Sequence, residues 1–305
     1  MSLLKTIPNG AKLFILGDVG QLQSLTTGNL LTDIINSNTL PVAKLTKVYR
    51  QGMESGILST SVDVRNQKQL CKYKEDNDVI LGTKQDLRLI TRAENIGLED
   101  LVVKTYGNYY EESENVLDIQ ILSPLKEKGS LAANNLNITI QNYLLPYLSE
   151  TFYECNKLKF HIGDKVINTK NNYGAKTEDD EKVAVFNGSI GLVVDFVKDA
   201  GIITGLIIDF IGIGRVVYVK EDCAKLNLAY AITVHSSQGS EFKNIIYVLP
   251  MQAYSLLNKE NVYTAITRGK KHCTIVAESS ALHKAISTSE INSKMTFLQS
   301  MLCAQ

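Results

Sequence analysis

The segment that most constrains this chain is residues 228–242, which read LAYAITVHSSQGSEF. The apolar run at 229–234 predicts a buried strand, and a polar loop containing glycine follows it at 235–240. In open α/β sheets, ligands bind where strands end and loops begin. Such a loop offers hydroxyls, a carboxamide and backbone N–H groups to a phosphate or a base. Taken alone, a Ser-Gln-Gly cluster between apolar runs favours a plain turn.

Composition limits the classes of protein that this chain can represent. Its 305 residues, 44% of them hydrophobic, suffice for one large core or two modest ones. The 32 basic residues balance the 32 acidic ones, so any phosphate binding must come from local patches. Five scattered cysteines without C-x-x-C spacing argue against a disulfide framework and a metal site. We find no signal peptide and no membrane-length apolar run, so we expect a cytoplasmic protein with no membrane partner.

The pattern of apolar residues predicts an α/β fold. Besides residues 229–234, strands are predicted at 12–16, 87–90, 116–122, 244–249 and 272–277. Helices are predicted at 29–36, 57–67, 98–106, 131–145 and 261–267. Two short amphipathic helices follow, with Ser280 as the N-cap of the first.

Residues 157–224 have a different character. Short alternating runs are separated by turn dipeptides, and Asn187-Gly188 is a strong hairpin signal. Four or five short strands in roughly 65 residues predict a small β-barrel inserted in the α/β chain.

Five further blocks carry polar residues at the ends of predicted elements, and each permits two interpretations. Asp18 and Gln21 follow a strand, where they suit a phosphate, a polarised water or an ordinary turn. Arg50 suits phosphate oxygens or a surface ion pair. Ser123 and Lys126 end a strand, where an ordinary loop is the alternative.

Each of the last two blocks, considered alone, also permits two interpretations. In the predicted barrel, Tyr173, Phe186 and neighbouring amides suit a single nucleic-acid strand, or else core packing and turns. Arg268 ends a helix beside a flexible glycine, from which it can reach outward or simply oppose the helix dipole.

The order and spacing of these blocks resemble superfamily 1B helicases of the RecD-like group, which are ATP-driven 5′→3′ DNA translocases. The resemblance runs from about residue 12 to residue 277 and rests on six blocks in order. These are GDVGQL (17–22), LTKVYRQ (45–51), ILSPLK (121–126), GDKVINTKNNY with FNGSIG (163–173, 186–191), LAYAITVHSSQGSEF (228–242) and VYTAITRGKK (262–271).

Three departures from the family pattern matter. Ser236 stands where the family often has Lys, and Gly269 stands where Ala is usual. The sequence also contains no G-x-x-x-x-G-K-[ST] phosphate loop and no apolar strand ending in Asp-Glu. In the family both missing motifs precede the block at 17–22. The resemblance therefore implies the C-terminal part of a helicase.

For the fold, the resemblance implies a RecA-like motor domain 2A with a mainly parallel sheet, interrupted by a small SH3-like β-barrel (2B). A remnant of domain 1A would occupy residues 1–45. Domain 2A would comprise residues 46–156 and 225–305, with the barrel at 157–224.

The resemblance also implies site residues. Gln21, Arg50 and Arg268 would be catalytic, with Arg268 as the arginine finger. The nucleotide side in an intact parent would be Gly17, Asp18, Gln21, Arg50, Gly239, Glu241 and Arg268. The DNA side would be Ser123, Lys126, Asn171, Asn172, Tyr173, Phe186, Asn187, Thr233, His235, Ser237 and Gln238.

We therefore expect the single-strand-binding and arginine-finger half of a helicase for DNA recombination or repair. ATP and Mg²⁺ would bind only in the intact parent, and this chain alone would not hydrolyse ATP. Its partners would be single-stranded DNA, an ATP-binding domain in cis or in trans, and possible subunits of a nuclease–helicase complex. The alternative is a stand-alone binding protein, related to helicases, without turnover.

Overall fold

The computed structural model describes residues 6–22, 28–45, 54–289 and 297–304. The chain divides into two compact units, a smaller one of Met1–Leu45 with Ile291–Gln305 and a larger one of Thr46–Glu290. Arg50 and most of its block lie outside the described residues. None of the helices in the described ranges is both long and apolar enough to cross a membrane.

In the smaller unit, helix α1 (Leu30–Ser37) packs against helix α8 (Leu298–Cys303). The prediction of a strand at 12–16 is wrong, because these residues form no regular structure and Phe14 and Leu16 are 81% and 94% exposed. A strand needs neighbours that complete its hydrogen bonds. No strand among the described residues pairs with this segment.

The larger unit is built on a six-stranded main sheet in the order β1-β2-β15-β14-β3-β13. Its strands are β1 (Asn77–Leu81), β2 (Leu87–Arg92), β3 (Ile119–Ser123), β13 (Ala231–Thr233), β14 (Phe242–Leu249) and β15 (Gly269–Glu278). All neighbours pair in parallel except β1, which runs antiparallel to β2 at one edge. Every residue of β3 is buried, as expected for a sheet covered on both faces.

Helices cover both faces of the main sheet. They are α2 (Gly56–Arg65), α3 (Leu98–Ser113), α4 (Ala133–Leu144), α6 (Lys259–Ile266) and α7 (Ser279–Ser287). Helix α3 packs on the face that carries Ile119, Ile246 and Val276. Helix α6 covers the other face, where the Tyr247 hydroxyl donates to Asn261 Oδ1 at 2.9 Å. The α/β fold with a mainly parallel sheet is confirmed.

Several predicted bounds require correction. Helix α3 extends to Ser113, and residues Val116–Asp118 form a 3-10 turn before β3. Ser280 is not an N-cap, because α7 begins at Ser279 after Glu278 and Ser280 is buried inside it.

The apolar run at 229–234 is not one strand. The Asn137 side chain on α4 donates to the carbonyls of Leu228 and Ala231 at 2.9 and 3.0 Å and accepts from the Ala231 amide. Gln120 donates to the carbonyls of Ala229 and Tyr230. These side-chain amides form hydrogen bonds with backbone groups that a continuous strand would pair with a neighbouring strand. The run therefore bends before it enters the main sheet at β13.

Residues 165–228 form a second, antiparallel sheet, here called the small sheet, in the order β12-β6-β9-β10-β11-β7-β8. Its strands are β6 (Lys165–Asn168), β7 (Asn172–Thr177), β8 (Lys182–Val185), β9 (Ile190–Asp199), β10 (Ile202–Phe210), β11 (Gly214–Val219) and β12 (Leu226–Leu228). A short helix, α5 (Lys220–Cys223), joins β11 to β12, and β4 (Phe152–Cys155) pairs with β5 (Leu158–His161) in a separate hairpin. The pairing order has two ends, so main-chain hydrogen bonds do not close it into a barrel.

Two adjacent buried residues at the start of β6, Asp164 just before the strand and Lys165 as its first residue, anchor the small sheet to the main sheet. Asp164 accepts from the Tyr230 hydroxyl at 2.6 Å, Gln141 Nε2 at 2.7 Å and the His161 amide at 2.6 Å. Lys165 Nζ donates to the Ile119 carbonyl at 2.8 Å and lies 5.4 Å from the Phe242 ring centroid. Burial raises the pKa of the Asp164 carboxyl and lowers that of Lys165 to about 7. The Gly-Asp-Lys block is therefore a structural anchor.

Lys165 should make stability depend on pH. Its pKa rises from about 7 in the folded chain to the usual 10.5 on unfolding. Between these values the unfolded chain binds a proton that the folded chain does not, so stability rises with pH. Lys165→Met should remove this rise, which is on the order of a few kcal/mol. Urea denaturation at several pH values checks it, with the exposed Lys198→Met as control; parallel curves for Lys165→Met and the unsubstituted chain would contradict it.

Candidate functional site

The carboxyl ends of β3 and β13 lie side by side, because Thr233 pairs with Ser123 in the parallel register. The Ser123 hydroxyl donates to the Leu131 carbonyl at 2.7 Å and accepts from the Leu125 amide at 3.1 Å. Ser123 is fully buried, so the prediction that it contacts DNA directly is wrong; it holds the loop that follows. Lys126 in that loop is exposed.

The loop after β13 begins with a 3-10 turn at His235–Ser237. The Ser237 hydroxyl donates to the Val234 carbonyl at 2.7 Å and is fully buried, so Ser237 is also structural rather than a surface contact. Thr233 Oγ1 lies 2.8 Å from the Ser236 hydroxyl and accepts from the Ser236 amide. His235 and Gln238 remain partly exposed beside them. We call Lys126, Thr233, His235 and Gln238 the strand-end cluster.

Residues 234–241 connect opposite edges of the main sheet. They leave the carboxyl end of β13 and enter the amino end of β14, with β3 between these two parallel strands. At the amino edge the Phe242 amide donates to the Arg268 carbonyl at 2.9 Å, and Phe242 pairs with Gly269. One short crossing loop therefore contacts both the strand-end cluster and Arg268.

Arg268 lies between α6 and β15, not at the free end of a helix. It is 8% exposed, and its guanidinium donates to the carbonyls of Ser240 and Thr264 at 3.2 Å each and to Thr267 Oγ1 at 3.4 Å. Of the two alternatives that the sequence leaves open, the guanidinium does not take the outward position in this structure, because the helix stops at Ile266 and Gly269 already belongs to β15. The guanidinium instead binds the crossing loop through the Ser240 carbonyl.

Charged groups surround the exit of the crossing loop. Glu241 lies 2.8 Å from Lys270 Nζ, and this hydrogen bond and charge, with a smaller effect of Arg268, lower the pKa of the exposed Glu241 carboxyl. A cavity of about 280 Å³ lies nearby, lined by Ser55, Ile57, Leu58, Ser61, Thr267, Gly269 and Lys270. No role was predicted for Ser55, Ser61 or Lys270, and the available signal was that Lys270 lies two residues after Arg268.

The cavity opens at the amino end of α2. Ser55 caps this helix by accepting from the Leu58 amide at 3.2 Å. Asp86 accepts from the Ser55 hydroxyl and the Gly56 amide at 2.5 Å each, so the helix end is fixed against β2. The Asp86 carboxylate therefore already supplies a negative charge at this helix end, and Thr267 and Lys270 line the same cavity.

The small sheet carries an exposed aromatic pair. Tyr173 and Phe186 are 69% and 53% exposed and meet edge to face, with ring centroids 6.2 Å apart. Asn171 Nδ2 donates to the Tyr173 hydroxyl, and Asn171 Oδ1 accepts from the Asn187 amide. Asn172 is buried and donates to Asp222 Oδ1 at 3.0 Å, so its predicted DNA contact is wrong.

In the smaller unit, residues 17–22 form a tight turn. Asp18 Oδ1 accepts from the Gly20 amide at 2.8 Å, and the Gln21 amide donates to the Asp18 carbonyl at 3.2 Å. Gly17 is exposed, and Asp18 and Gln21 are half-buried. Among the residues that the structure describes, no group of three His, Cys, Asp or Glu side chains is placed to bind a metal.

Two family profiles match the chain. The UvrD-like helicase C-terminal domain matches residues 228–276, which contain the crossing loop and Arg268, and an AAA domain matches residues 1–85. The chain thus resembles a helicase domain at 228–276 and an AAA domain at 1–85.

Curated relatives give the same class of protein. The chain is 28% identical over 288 residues to the ATP-dependent RecD2 DNA helicase of Deinococcus radiodurans, covering 92% of this chain and 34% of the relative. It is 33% identical over 168 residues to the RecBCD enzyme subunit RecD of Haemophilus influenzae, covering 55% and 23%. The chain is therefore a homologue of RecD-type helicases, as its motifs predict. It spans about a quarter to a half of the length of such relatives.

Among solved structures, a Pif1 helicase from Bacteroides in complex with ADP-AlF3 and ssDNA aligns with a TM-score of 0.43 at 16% identity, covering 88% of this chain and 62% of that one.

Arg268 should contribute to stability through its buried hydrogen bonds. Arg268→Ala should lower the free energy of unfolding by about 2 kcal/mol, because two carbonyls and a hydroxyl lose their donor. Arg215→Ala is the matched control, since Arg215 is exposed and its ion pair with Glu178 spans 3.6 Å. Chemical denaturation measures both, and equal small effects would show that Arg268 does not hold the crossing loop.

Proposed function

We propose that this chain supplies the single-strand-binding and arginine-finger half of an ATP-driven, RecD-type DNA helicase motor that acts in DNA recombination or repair. The observation that carries the proposal is the crossing loop at 234–241. It joins exposed polar groups at the carboxyl edge of the main sheet to Arg268 at the amino edge. A motor needs such a link, because ATP hydrolysis must change the affinity for the DNA strand.

The strand-end cluster would be the first DNA contact. Lys126 would bind a phosphate as a point charge, and Thr233, His235 and Gln238 would offer hydrogen bonds to the backbone or the bases. Tyr173 and Phe186 would stack against bases, with Asn171 and Asn187 shaping that surface. The relatives' printed names support DNA as the substrate.

The residues of this chain do not fit a complete nucleotide site, because the sequence contains no phosphate loop. Arg268 and Lys270 would supply only the side that faces the terminal phosphate. Gly239 and Glu241 would lie next to this side, with Arg50 as a second cation and Gln21 as the sensor of phosphate or water. ATP and Mg²⁺ would be held by an ATP-binding domain in cis or in trans.

For the fold, we propose that the main sheet is motor domain 2A and that the small sheet corresponds to the SH3-like insertion 2B. Residues 1–45 would be a remnant of domain 1A. The antiparallel pairing of 165–228 and its buried anchor on the main sheet support this division. The translocation polarity, 5′→3′, follows from the family alone.

The chain by itself should hydrolyse no ATP when single-stranded DNA is added, because it lacks the phosphate loop. A steady-state ATPase assay of the purified chain measures this. Turnover that Arg268→Ala abolishes would contradict the expectation. Turnover only on mixing with a separate ATP-binding chain would identify a split enzyme, and DNA binding with no turnover in any mixture would favour the stand-alone binding protein.

Ser236→Lys should strengthen single-strand binding, since it restores a cation that RecD-like helicases often carry beside the strand-end cluster. The salt dependence of log K should steepen by about 0.7 per added phosphate contact. Fluorescence anisotropy with oligothymidine at several salt concentrations measures both. Asn108→Lys, on the exposed side of α3, adds the same charge elsewhere. Equal gains in the two variants would show that the loop does not contact the strand.

A further inference from the structure

A second group of aromatic and basic side chains lies on and around α7, with no role in the site described above. We call Tyr73, Lys74, Tyr254, His283 and Lys284 the α7 surface. Tyr73 and Tyr254 are 58% and 62% exposed. His283 and Lys284 lie on the outer side of α7, whose inner side buries Leu282 and Ile286.

This surface lies at the same edge of the main sheet as the strand-end cluster. Helix α7 follows the carboxyl end of β15, and the 3-10 segment Met251–Leu256 follows that of β14. Tyr73 and Lys74 precede β1, whose first residue, Asn77, pairs with Thr91 near the carboxyl end of β2. From β13 to β2 the edge spans four strand spacings, on the order of 20 Å.

The rings and the cations are in direct contact. Lys284 Nζ lies 3.3 Å from the Tyr254 ring centroid, and the Tyr73 and His283 rings meet edge to face at 5.7 Å. Lys74 Nζ lies 5.8 Å from the Tyr73 ring. The hydrogen bond and charge of Lys284 lower the pKa of the Tyr254 hydroxyl. Each ring thus has a basic group beside it.

The backbone beneath these side chains is fixed. Gln69 Nε2 donates to the His283 carbonyl at 3.2 Å and to the Ser287 hydroxyl at 2.8 Å, which holds the segment before Tyr73 against α7. The Met251 amide donates to Glu278 Oε1 at 2.7 Å, which holds the Tyr254 segment at the start of the same helix. A surface prepared in this way loses little conformational entropy on binding.

The α7 surface carries two lysines without an ion pair in the part of the chain that the structure describes. The nearby carboxylates have partners: Glu75 lies 3.4 Å from Lys72, Asp76 lies 3.9 Å from Arg92 and accepts from the Ala93 amide, and Glu278 accepts from the Met251 amide. Within the described residues, neither Lys74 nor Lys284 has a carboxylate within 4.0 Å. Exposed rings beside uncompensated ammonium groups match the two parts of a nucleotide, a base that stacks and a phosphate that is negative.

We propose that the α7 surface is a second binding surface for single-stranded DNA, continuing the path from the strand-end cluster along the carboxyl edge of the main sheet. Tyr73 and Tyr254 stack on bases, while Lys74 and Lys284 contact the phosphates between them. This proposal rests on the proposed function, since it takes the strand-end cluster as the start of the path.

The test compares the affinity of the full chain and its variants for an oligothymidine of about 20 nucleotides by fluorescence anisotropy. Tyr73→Ala with Tyr254→Ala should weaken binding about fivefold or more, and Lys284→Glu should do the same and flatten the salt dependence. Tyr73→Phe with Tyr254→Phe keeps the rings and should retain affinity, which separates lost stacking from lost folding.

The matched control is the hairpin β4–β5, where Lys159 Nζ lies 4.4 Å from the Phe152 ring and His161 lies against that ring. Phe152→Ala and Lys159→Glu alter a similar aromatic–cation pair and should leave affinity unchanged. Photocrosslinking with iodouracil-substituted oligonucleotide should label Tyr73 or Tyr254.

The outcomes separate the two proposals. If variants of the strand-end cluster weaken binding and those of the α7 surface do not, the second surface is refuted and the proposed function stands. If only the α7 variants weaken binding, the strand-end cluster is not the DNA contact. If neither set matters, both proposals fail. Equal loss in the hairpin controls, or binding of an acidic peptide in place of DNA, would also overturn the second surface.

Discussion

The parallel alignment of β3, β13, β14 and β15 is the constraint on which the rest of the structure depends. Parallel strands put all carboxyl ends at one edge and all amino ends at the other. Two consecutive strands of such a sheet need a connection from one edge to the other. Between β13 and β14 that connection is only residues 234–241, without a covering helix of its own. The polar groups of this connection therefore contact residues at both edges of the main sheet.

Buried polar side chains make this short connection possible. Asn137 and Gln120 bind the backbone just before β13 and turn the chain from the small sheet into the main sheet. Asp164 and Lys165 fix the small sheet beneath the same point. At the other edge Arg268 binds the Ser240 carbonyl. Removing one partner of a buried pair costs more than the pair contributes, so the first four residues fix the chain before the crossing loop, and Arg268 fixes the loop itself.

Much of the fold could be predicted from the sequence, because long periodic segments such as α4 and β14 carry their own pattern. The order of six motif blocks also predicted the class of relatives. Predictions from the local sequence pattern failed where contacts with distant residues determine the structure. The run at 12–16 lacks a pairing partner among the described residues, and the run at 229–234 is divided by Asn137, which is distant in sequence.

At the site, the sequence indicated the right loops but not the fate of each side chain. Ser123, Ser237 and Asn172 have the polar character of surface contacts, yet each is buried, Ser237 on the nearby Val234 carbonyl and the other two on partners more distant in sequence. The α7 surface was missed because Tyr73, Tyr254 and Lys284 come from three separate segments. Only the shared sheet edge brings them together.

A DNA strand bound at the carboxyl edge should change the environment of Arg268 at the amino edge, because the crossing loop contacts both. Hydrogen–deuterium exchange of the chain with and without saturating oligothymidine measures this directly. We expect slower exchange at 233–242 and also at 264–270 on the opposite edge, with no change in α3. Protection confined to the carboxyl edge or to the small sheet, with binding intact, would contradict the claim.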